Sequence, residues 1–393
     1  MKESEKGKLS RMEIKVGIKT AGSPVLEKGE GYTLVKNMLI GDSFHWQTII
    51  EARLPGKVEK IESTHNISLI NTLPIETYLE CVVGSEMNPK APLEFLKAHA
   101  VISRSWALGK ILEQRNEVPV LSYRSDVKAE ESIVSLDGKP ESLIGWEDTA
   151  SHHGFHVCSD DHCQRYQGLQ DIPEVNLQSI RSTAGEVLIK PDGNIVDARF
   201  SKCCGGVTEI FSTCWQTKEE ECLKTFEDPW CNLSSLSVNH RRLILTSILK
   251  DYDIATENYG YRWTFEISKQ EIENNLKSSF RRNVGRIETI EAIHRGPSGR
   301  IDLLRIHGSQ GCLDLGKELW IRRLLSPTHL YSSAFEIEDK GDKVRLTGRG
   351  WGHGVGLCQI GAAHMALQGV DYREILSFYY PGSRLSSDPY CIG

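Results

Sequence analysis

The sequence has no long apolar run. None of its 393 residues lies in a stretch approaching the roughly 18 apolar residues that a spanning helix requires. A helical membrane span inside it is therefore excluded. It also lacks an apolar core near its start: MKESEKGKLSRMEIKVGI is polar and charged, unlike a secretory signal peptide. That opening leaves three expectations: retention in the cytoplasm, a start further upstream, or a leader already removed. Positive charge is not in excess, with 47 Lys and Arg against 53 Asp and Glu. The formal net charge of -6 excludes bulk electrostatic attraction to nucleic acid, although a local basic groove for an anionic polymer stays compatible with it. Internal repeats and low-complexity tracts are absent. Eleven cysteines are an odd number, so complete intrachain pairing is impossible and cysteine usage leaves the compartment open. What is present is an ordinary soluble composition, 39% hydrophobic and 25% charged. Its length suits two or three domains, or one domain with insertions.

The most informative stretch runs from Thr72 to Leu108, TLPIETYLECVVGSEMNPKAPLEFLKAHAVISRSWAL. It reads as a short apolar segment, a carboxylate, a proline-punctuated turn and a long helix. Glu86 stands at the hinge. Asn88-Pro89 and Ala91-Pro92 end whatever precedes them, because a residue before proline is pushed out of the helical region. Pro92 suits a first helical turn. Leu93, Leu96, Ala100, Val101, Ala107, Leu108, Ile111 and Leu112 then follow the 3.6-residue period. Lys97 and Arg104 are seven apart and share one face of that helix. Two cations beside an apolar stripe, below a carboxylate, have the form of a site. The plainer alternative is that both snorkel to solvent and Glu86 is a surface residue.

A second dense stretch is HHGFHVCSDDHCQRYQ, His152 to Gln167. Imidazoles and thiolates at this density suit tetrahedral zinc. Cys158, His162 and Cys163 supply three ligands and one upstream histidine a fourth. The alternative is a Cys158–Cys163 disulfide, or free thiols, with bystander histidines.

The remaining chain is mixed. Met12 to about Thr64 alternates as strands do, and NISLI is a strand candidate leading into the first stretch. Glu113 to Lys139 is polar and reads as loop with short strands. IVDARFSKCCGGVT reads as strand, glycine turn and strand, with Lys202 just before the turn. Cys203, Cys204, Cys214, Cys222 and Cys231 cluster there. Disulfides are plausible among them, and a second metal site less so without a histidine. RRLILTSILKDY is helical. IETIEAIHRG and GRIDLLRIHGS form paired strands about a PSGR turn, and a short helix spans about Trp320 to Leu325. Six glycines fall between Gly348 and Gly361, ahead of an amphipathic helix at Ala362 to about Gln368 and another at Tyr372 to Tyr380. Such a loop can turn backbone N–H groups toward a ligand, but it lacks the Gly-Lys-Ser/Thr of a phosphate loop. His353 and Gln359 are its candidate functional side chains.

The LPIETYLECVVGSEM and LKAHAVISRSWAL blocks, the FSKCCGGVTE turn, and GRGWGHGVGLCQIGAAHMALQG with YREILSFYYPGS together resemble the stage II sporulation protein D/LytB family of bacterial cell-wall proteins. The resemblance runs from about Asn66 to Leu385. It implies an α+β fold of mixed, largely antiparallel sheets, with a long helix after the catalytic-glutamate segment and a zinc-binding insert. The expected organisation is a β-rich region at 1–64 and a SpoIID/LytB-like catalytic domain at 65–393, with the cysteine/histidine-rich insert at about 118–178. Sporulation members of the family are lytic transglycosylases acting on peptidoglycan glycan strands. LytB-type members are described as modifiers of an amidase. Carried onto this chain, the catalytic acid/base is Glu86. Arg104, Lys202, His353 and Gln359 are substrate-binding or supporting candidates. The metal ligands are His152, Cys158, His162 and Cys163, with His156 or His153 as runner-up to His152. The chain departs from the family pattern at Phe200, where tyrosine is expected, at His99 for glutamine, at Trp106 for tyrosine, and in a Cys158–His162 spacing one residue short.

The implied chemistry needs one carboxyl group. It protonates the oxygen between MurNAc and GlcNAc, then takes the proton of the sugar's own C6 hydroxyl as that oxygen attacks C1, giving a 1,6-anhydro end. The nucleophile is intramolecular, so no second carboxylate at hydrolase spacing is required. A helix N-terminus next to Glu86, or a direct Arg104 ion pair, would favour the charged carboxylate over the proton donor. Arg104 is therefore expected to hold substrate or local backbone. A closed Cys2His2 zinc is structural, whereas three ligands plus water would permit amide hydrolysis. Expected partners are peptidoglycan glycan strands and a cell-wall amidase, and the expected location is the cell envelope.

Overall fold

The computed structural model describes residues 12–42, 47–64, 67–88, 90–115, 132–133, 140–146, 152, 154–159, 163–248, 260–326, 328 and 330–387. The fold is α+β, with mostly antiparallel sheets. The alternating segment EIKVGIK forms the strand Glu13–Lys19, which buries Ile14, Val16 and Ile18. It pairs antiparallel with Ile67–Pro74, Val16 opposite Asn71. Lys57–Thr64 flanks the other edge of Ile67–Pro74, and Val157–Cys158 pairs parallel with Val16 and Gly17. Leu26–Lys28, Tyr32–Ile40 and Thr48–Pro55 make a second sheet on the same core.

Ile67–Pro74 runs directly into a helix, Ile75–Glu86. The apolar segment ahead of Glu86 is thus helical to its last residue. Pro74 supplies the extended residue before the first turn, where a missing N–H costs nothing. The long helix is Leu93–Arg115. Sequence periodicity predicts an amphipathic helix with a cationic face, but the structure buries this one nearly all round. His99, Ser103, Arg104 and Ser105 are as fully buried as Phe95, Val101 and Ala107. A helix packed on every side is a core helix, and its polar residues must find partners inside the protein.

A second apolar core lies further along the chain. Arg262–Ser268, Lys343–Arg349 and Phe335–Asp339 form one sheet there. The predicted hairpin pairs Ile287–Arg295 with Ile301–Gly308, and Gly311–Gly316 and Glu141–Ile144 extend it. Helices Lys269–Phe280 and Glu318–Leu325 cover these sheets. Both helices after the glycine loop form, at Gln359–Leu367 and Tyr372–Tyr379, and pack on the first core.

Four N–H groups of the glycine loop turn to the protein's own carbonyls rather than to a ligand. Those of Gly350, Trp351, Gly352 and Leu357 bind the carbonyls of Tyr261, Cys203, Tyr331 and Arg199. Its glycines answer to packing. Gly354 has φ +75, and a Cβ there would collide with the Arg300 guanidinium. Arg300, with no exposed surface, donates to the Gly352 and Cys204 carbonyls and so ties both glycine turns to the second core. Gly369 shares the positive φ, but a Cβ there would meet nothing within 4 Å. Gly369→Ala should therefore cost only the left-handed strain, about 1 kcal/mol. Gly354→Ala should cost about 3 kcal/mol, strain plus overpacking, as read from urea unfolding of both variants.

Candidate active site

A cavity of about 220 Å³ is lined by residues from both halves of the molecule. Glu86, the last residue of its helix, reaches it while only 6% exposed. Its Oε1 accepts the backbone N–H of Arg165 at 2.9 Å, the one hydrogen bond its carboxylate makes among the described residues. Two further carboxylates line the cavity, and both are committed to cations: Asp42 to Lys19 at 2.8 Å and Glu318 to Arg322 at 3.5 Å. Glu86 has no ion pair among the described residues.

The clamp on Glu86 comes from the tail of the cysteine/histidine stretch. Arg165 N–H binds Glu86, and Gln167 N–H binds Ser85 Oγ at 3.1 Å. The Gln164 side chain accepts from Tyr78 Oη at 3.1 Å, and Tyr166 stacks on Tyr78. Gln164–Gln167 thus lies along the glutamate helix, which the density of metal-type ligands just before it conceals in the sequence.

Around Glu86 the walls combine aromatic faces with cations. Trp106, Phe200, Trp215 and Trp351 contribute rings, and Arg165, Arg199, Lys202, Arg322 and Arg323 contribute charge. Arg199 is held by Asp197 through two bonds of 2.8 and 2.9 Å, with its guanidinium 4.3 Å from the Trp215 ring centre. Flat apolar faces beside fixed cations suit a ring-shaped polar ligand that carries an anionic group. Sequence reasoning missed Trp215, Arg199, Arg322 and Arg323, which only the packing of the two halves brings to the cavity. Trp351 and Arg165 stood inside stretches singled out for other residues.

Of the predicted supporting residues, Lys202, His353 and Gln359 line the cavity with Glu86. The Gln359 amide meets His99 Nε2 at 3.3 Å, and His99 Nδ1 faces Ser103 Oγ at 3.2 Å. Burial, with Lys202 adding to it and Glu86 opposing it, lowers the His99 pKa to about 4. The ring is therefore neutral and accepts from the Gln359 amide. His353 takes the Val355 N–H on Nδ1 at 3.0 Å and sits edge-on to Trp215. Burial first, then Arg199, Arg300 and Arg322, hold its pKa well below the ordinary range. It is a neutral hydrogen-bonding group in this setting.

Arg104 is not among the cavity-lining residues. Its Nε and Nη2 each bind the Glu76 carboxylate at 2.8 Å and its Nη1 binds the Glu186 carbonyl at 3.1 Å, with no exposed side-chain surface. It secures local backbone, and Lys97 is paired with Glu94 at 2.6 Å.

Among the described residues, two groups of side chains could hold a metal ion: His152 with Cys158 and Cys163, and Cys204 with Asp228, Cys231 and Cys358. His153 and His162 lie outside the described residues. In the first group the sulfurs are 3.7 Å apart. Two thiolates at about 2.3 Å from one tetrahedral ion stand about 3.8 Å apart, whereas a disulfide needs about 2.05 Å. His152 Nδ1 is 3.2 Å from the His156 carbonyl. His156 Nδ1 accepts the Lys15 N–H. The sequence makes disulfides plausible among Cys203, Cys204, Cys214, Cys222 and Cys231, and the structure holds these cysteines unbridged.

Residues 63–189 match the family model described as Stage II sporulation protein, and residues 209–356 match a domain of unknown function, DUF8618. An uncharacterized protein of Brachyspira hyodysenteriae is 26% identical over 327 residues, 83% of this chain and 70% of the relative. Stage II sporulation protein D of Bacillus subtilis is 24% identical over 317 residues, 81% and 76% of the two chains. The Amidase enhancer of Bacillus subtilis is 26% identical over 229 residues, 53% of this chain and 32% of the relative. The sporulation match includes Glu86, Arg104 and the first metal-type group, while Lys202 and Gln359 fall outside both matched segments.

Two measurements probe the buried polar groups. Between pH 6.5, the ordinary histidine value, and about 4, unfolded His99 binds a proton that the folded protein does not. Stability should fall as pH drops through that window, by on the order of 3 kcal/mol. His99→Gln should flatten this part of a stability–pH curve from urea titrations. Arg104→Met should lower stability by about 3 kcal/mol, because it strands the Glu76 carboxylate. A variant as stable as the wild type would rule out the ion pair as a backbone anchor.

Proposed function

We propose that this chain, which belongs to the stage II sporulation protein D/LytB family, cleaves peptidoglycan glycan strands between MurNAc and GlcNAc by lytic transglycosylation. The observation that carries the reading is Glu86: a buried carboxyl group facing a cavity of tryptophans and arginines, with no cation paired to it among the described residues. Glu86 donates its proton to the glycosidic oxygen as the bond to C1 breaks. The C6 hydroxyl oxygen of the same sugar attacks C1, its proton passes to Glu86, and a 1,6-anhydro-MurNAc end results. The attacking oxygen is already part of the substrate, so little entropy is lost in bringing it to C1. The Arg165 N–H holds one carboxylate oxygen and fixes the direction of the other. Tryptophan faces bind sugar rings, Lys202 and the arginines bind the lactyl or stem-peptide carboxylates, and Gln359, oriented by His99, binds sugar hydroxyls. That substrate lies in the cell envelope, so the reading implies action outside the cytoplasm.

The cysteine/histidine group fits a structural zinc ion. His152, Cys158 and Cys163 would hold it with His162 as fourth donor, a closed set without a position for reactive water. Bound there, the ion would fix Cys163, two residues before the Arg165 N–H that clamps Glu86. The similarity to a relative named Amidase enhancer supports a second reading, a glycan-binding modifier of an N-acetylmuramoyl-L-alanine amidase that cleaves nothing itself.

Mass spectrometry of products released from purified sacculi separates the two. The first reading expects anhydro-muropeptides, reduced about 10²–10⁴-fold in Glu86→Gln with sacculus binding unchanged. Binding without release, combined with stimulation of an added amidase, would establish the second instead. Cys158→Ser/Cys163→Ser should lose one equivalent of zinc and weaken the release. If its metal content equals that of the wild type, the proposed ligands are wrong.

A further inference from the structure

The second group of metal-type side chains lies behind the cavity wall and has no part in the chemistry above. Cys204 comes from the Cys-Cys-Gly-Gly turn, Asp228 and Cys231 from the turn at Pro229–Cys231, and Cys358 from the residue before helix Gln359–Leu367. Their exposures are 1%, 1%, 0% and 0%. One donor atom from each lies within 4.8 Å of all the others. Cys203 stands beside them, its sulfur 3.3 Å from that of Cys231.

Apolar packing accounts for one or two buried thiols, which behave as small hydrophobes. It does not account for a buried carboxylate in their midst. Asp228 has no basic side chain paired to it among the described residues, and a buried carboxylate without a counter-charge is costly. Its surroundings are arranged as those of a ligand are. Asp228 Oδ1 accepts the N–H groups of Trp230 and Cys231 at 3.0 and 3.2 Å. Oδ2 accepts from Tyr379 Oη at 3.0 Å and faces Cys204 Sγ at 3.2 Å. Cys358 Sγ accepts the Cys204 N–H at 3.3 Å. Hydrogen-bonded carboxylates and N–H donors on sulfur are the outer contacts that orient metal ligands.

We propose that Cys204, Cys231, Cys358 and Asp228 bind a second metal ion, a sulfur-preferring divalent ion of the zinc class. Three thiolates and one carboxylate complete a tetrahedral set with no open position, so the site is structural. It joins three segments that are distant in sequence. Lys202 precedes Cys203, and Gln359 follows Cys358. The ion therefore fixes the spacing of two side chains that line the cavity, and its proposal stands independently of the reaction assigned to that cavity.

The test is elemental analysis and cobalt substitution of full-length protein purified without a histidine tag. One equivalent of zinc or iron should remain in Cys158→Ser/Cys163→Ser and disappear when Cys358→Ser is added. Cobalt-loaded wild type should show sulfur-to-cobalt charge-transfer intensity matching five thiolates, two from the insert and three from this cluster. That measurement needs no variant to fold. Intensity matching two thiolates or fewer would overturn the site. So would an intact mass two hydrogens lighter with Cys203 linked to Cys231, which identifies a disulfide instead.

Discussion

A buried guanidinium holds the two halves of this protein together. Arg300 has no exposed surface, and its charge is answered through a relay in the interior. It donates to Ser298 Oγ at 2.8 Å, and Ser298 Oγ donates to the buried carboxylate of Glu209 at 2.7 Å. Its other donors take the carbonyls of Gly352 and Cys204. A buried charge is tolerated only when its partners are complete, so loops from distant parts of the chain must meet this one group. Gly350 and Gly354 answer to it, because a Cβ at either would meet the guanidinium. The cavity lies where these loops meet, and its shape depends on their register.

Glu86 illustrates how setting determines chemistry. Three cations of the surrounding elements are engaged with other carboxylates: Arg104 with Glu76, Lys97 with Glu94, Arg322 with Glu318. Its carboxylate accepts a backbone N–H, and the cavity it faces combines aromatic and cationic side chains.

The elements were readable where one periodicity dominated. The paired strands around Gly296–Arg300, the long helix and the helices after the glycine loop form where their patterns predict. The helical state of Ile75–Glu86 was concealed because its apolar residues also suit a buried strand. The burial of Arg104 was concealed because a lone sequence cannot show that Glu76, 28 residues away, will receive it. Arg199, Trp215, Arg322 and Arg323 carry no local signal, since a cavity wall assembled from both halves has no spacing in the chain.

By itself the sequence determined the chemical inventory: the carboxylate before the long helix, the dense imidazoles and thiols, and the glycine turns with Lys202 and His353. Each is a local pattern, set by residue type and spacing. Tertiary structure decided which of these act together. It placed Lys202, His353 and Gln359 around Glu86 and kept Arg104 out. It also gathered Cys204, Asp228, Cys231 and Cys358 around one point from segments up to 154 residues apart. Such convergence depends on how two cores pack and how buried charges are satisfied, and those are properties of the folded chain as a whole.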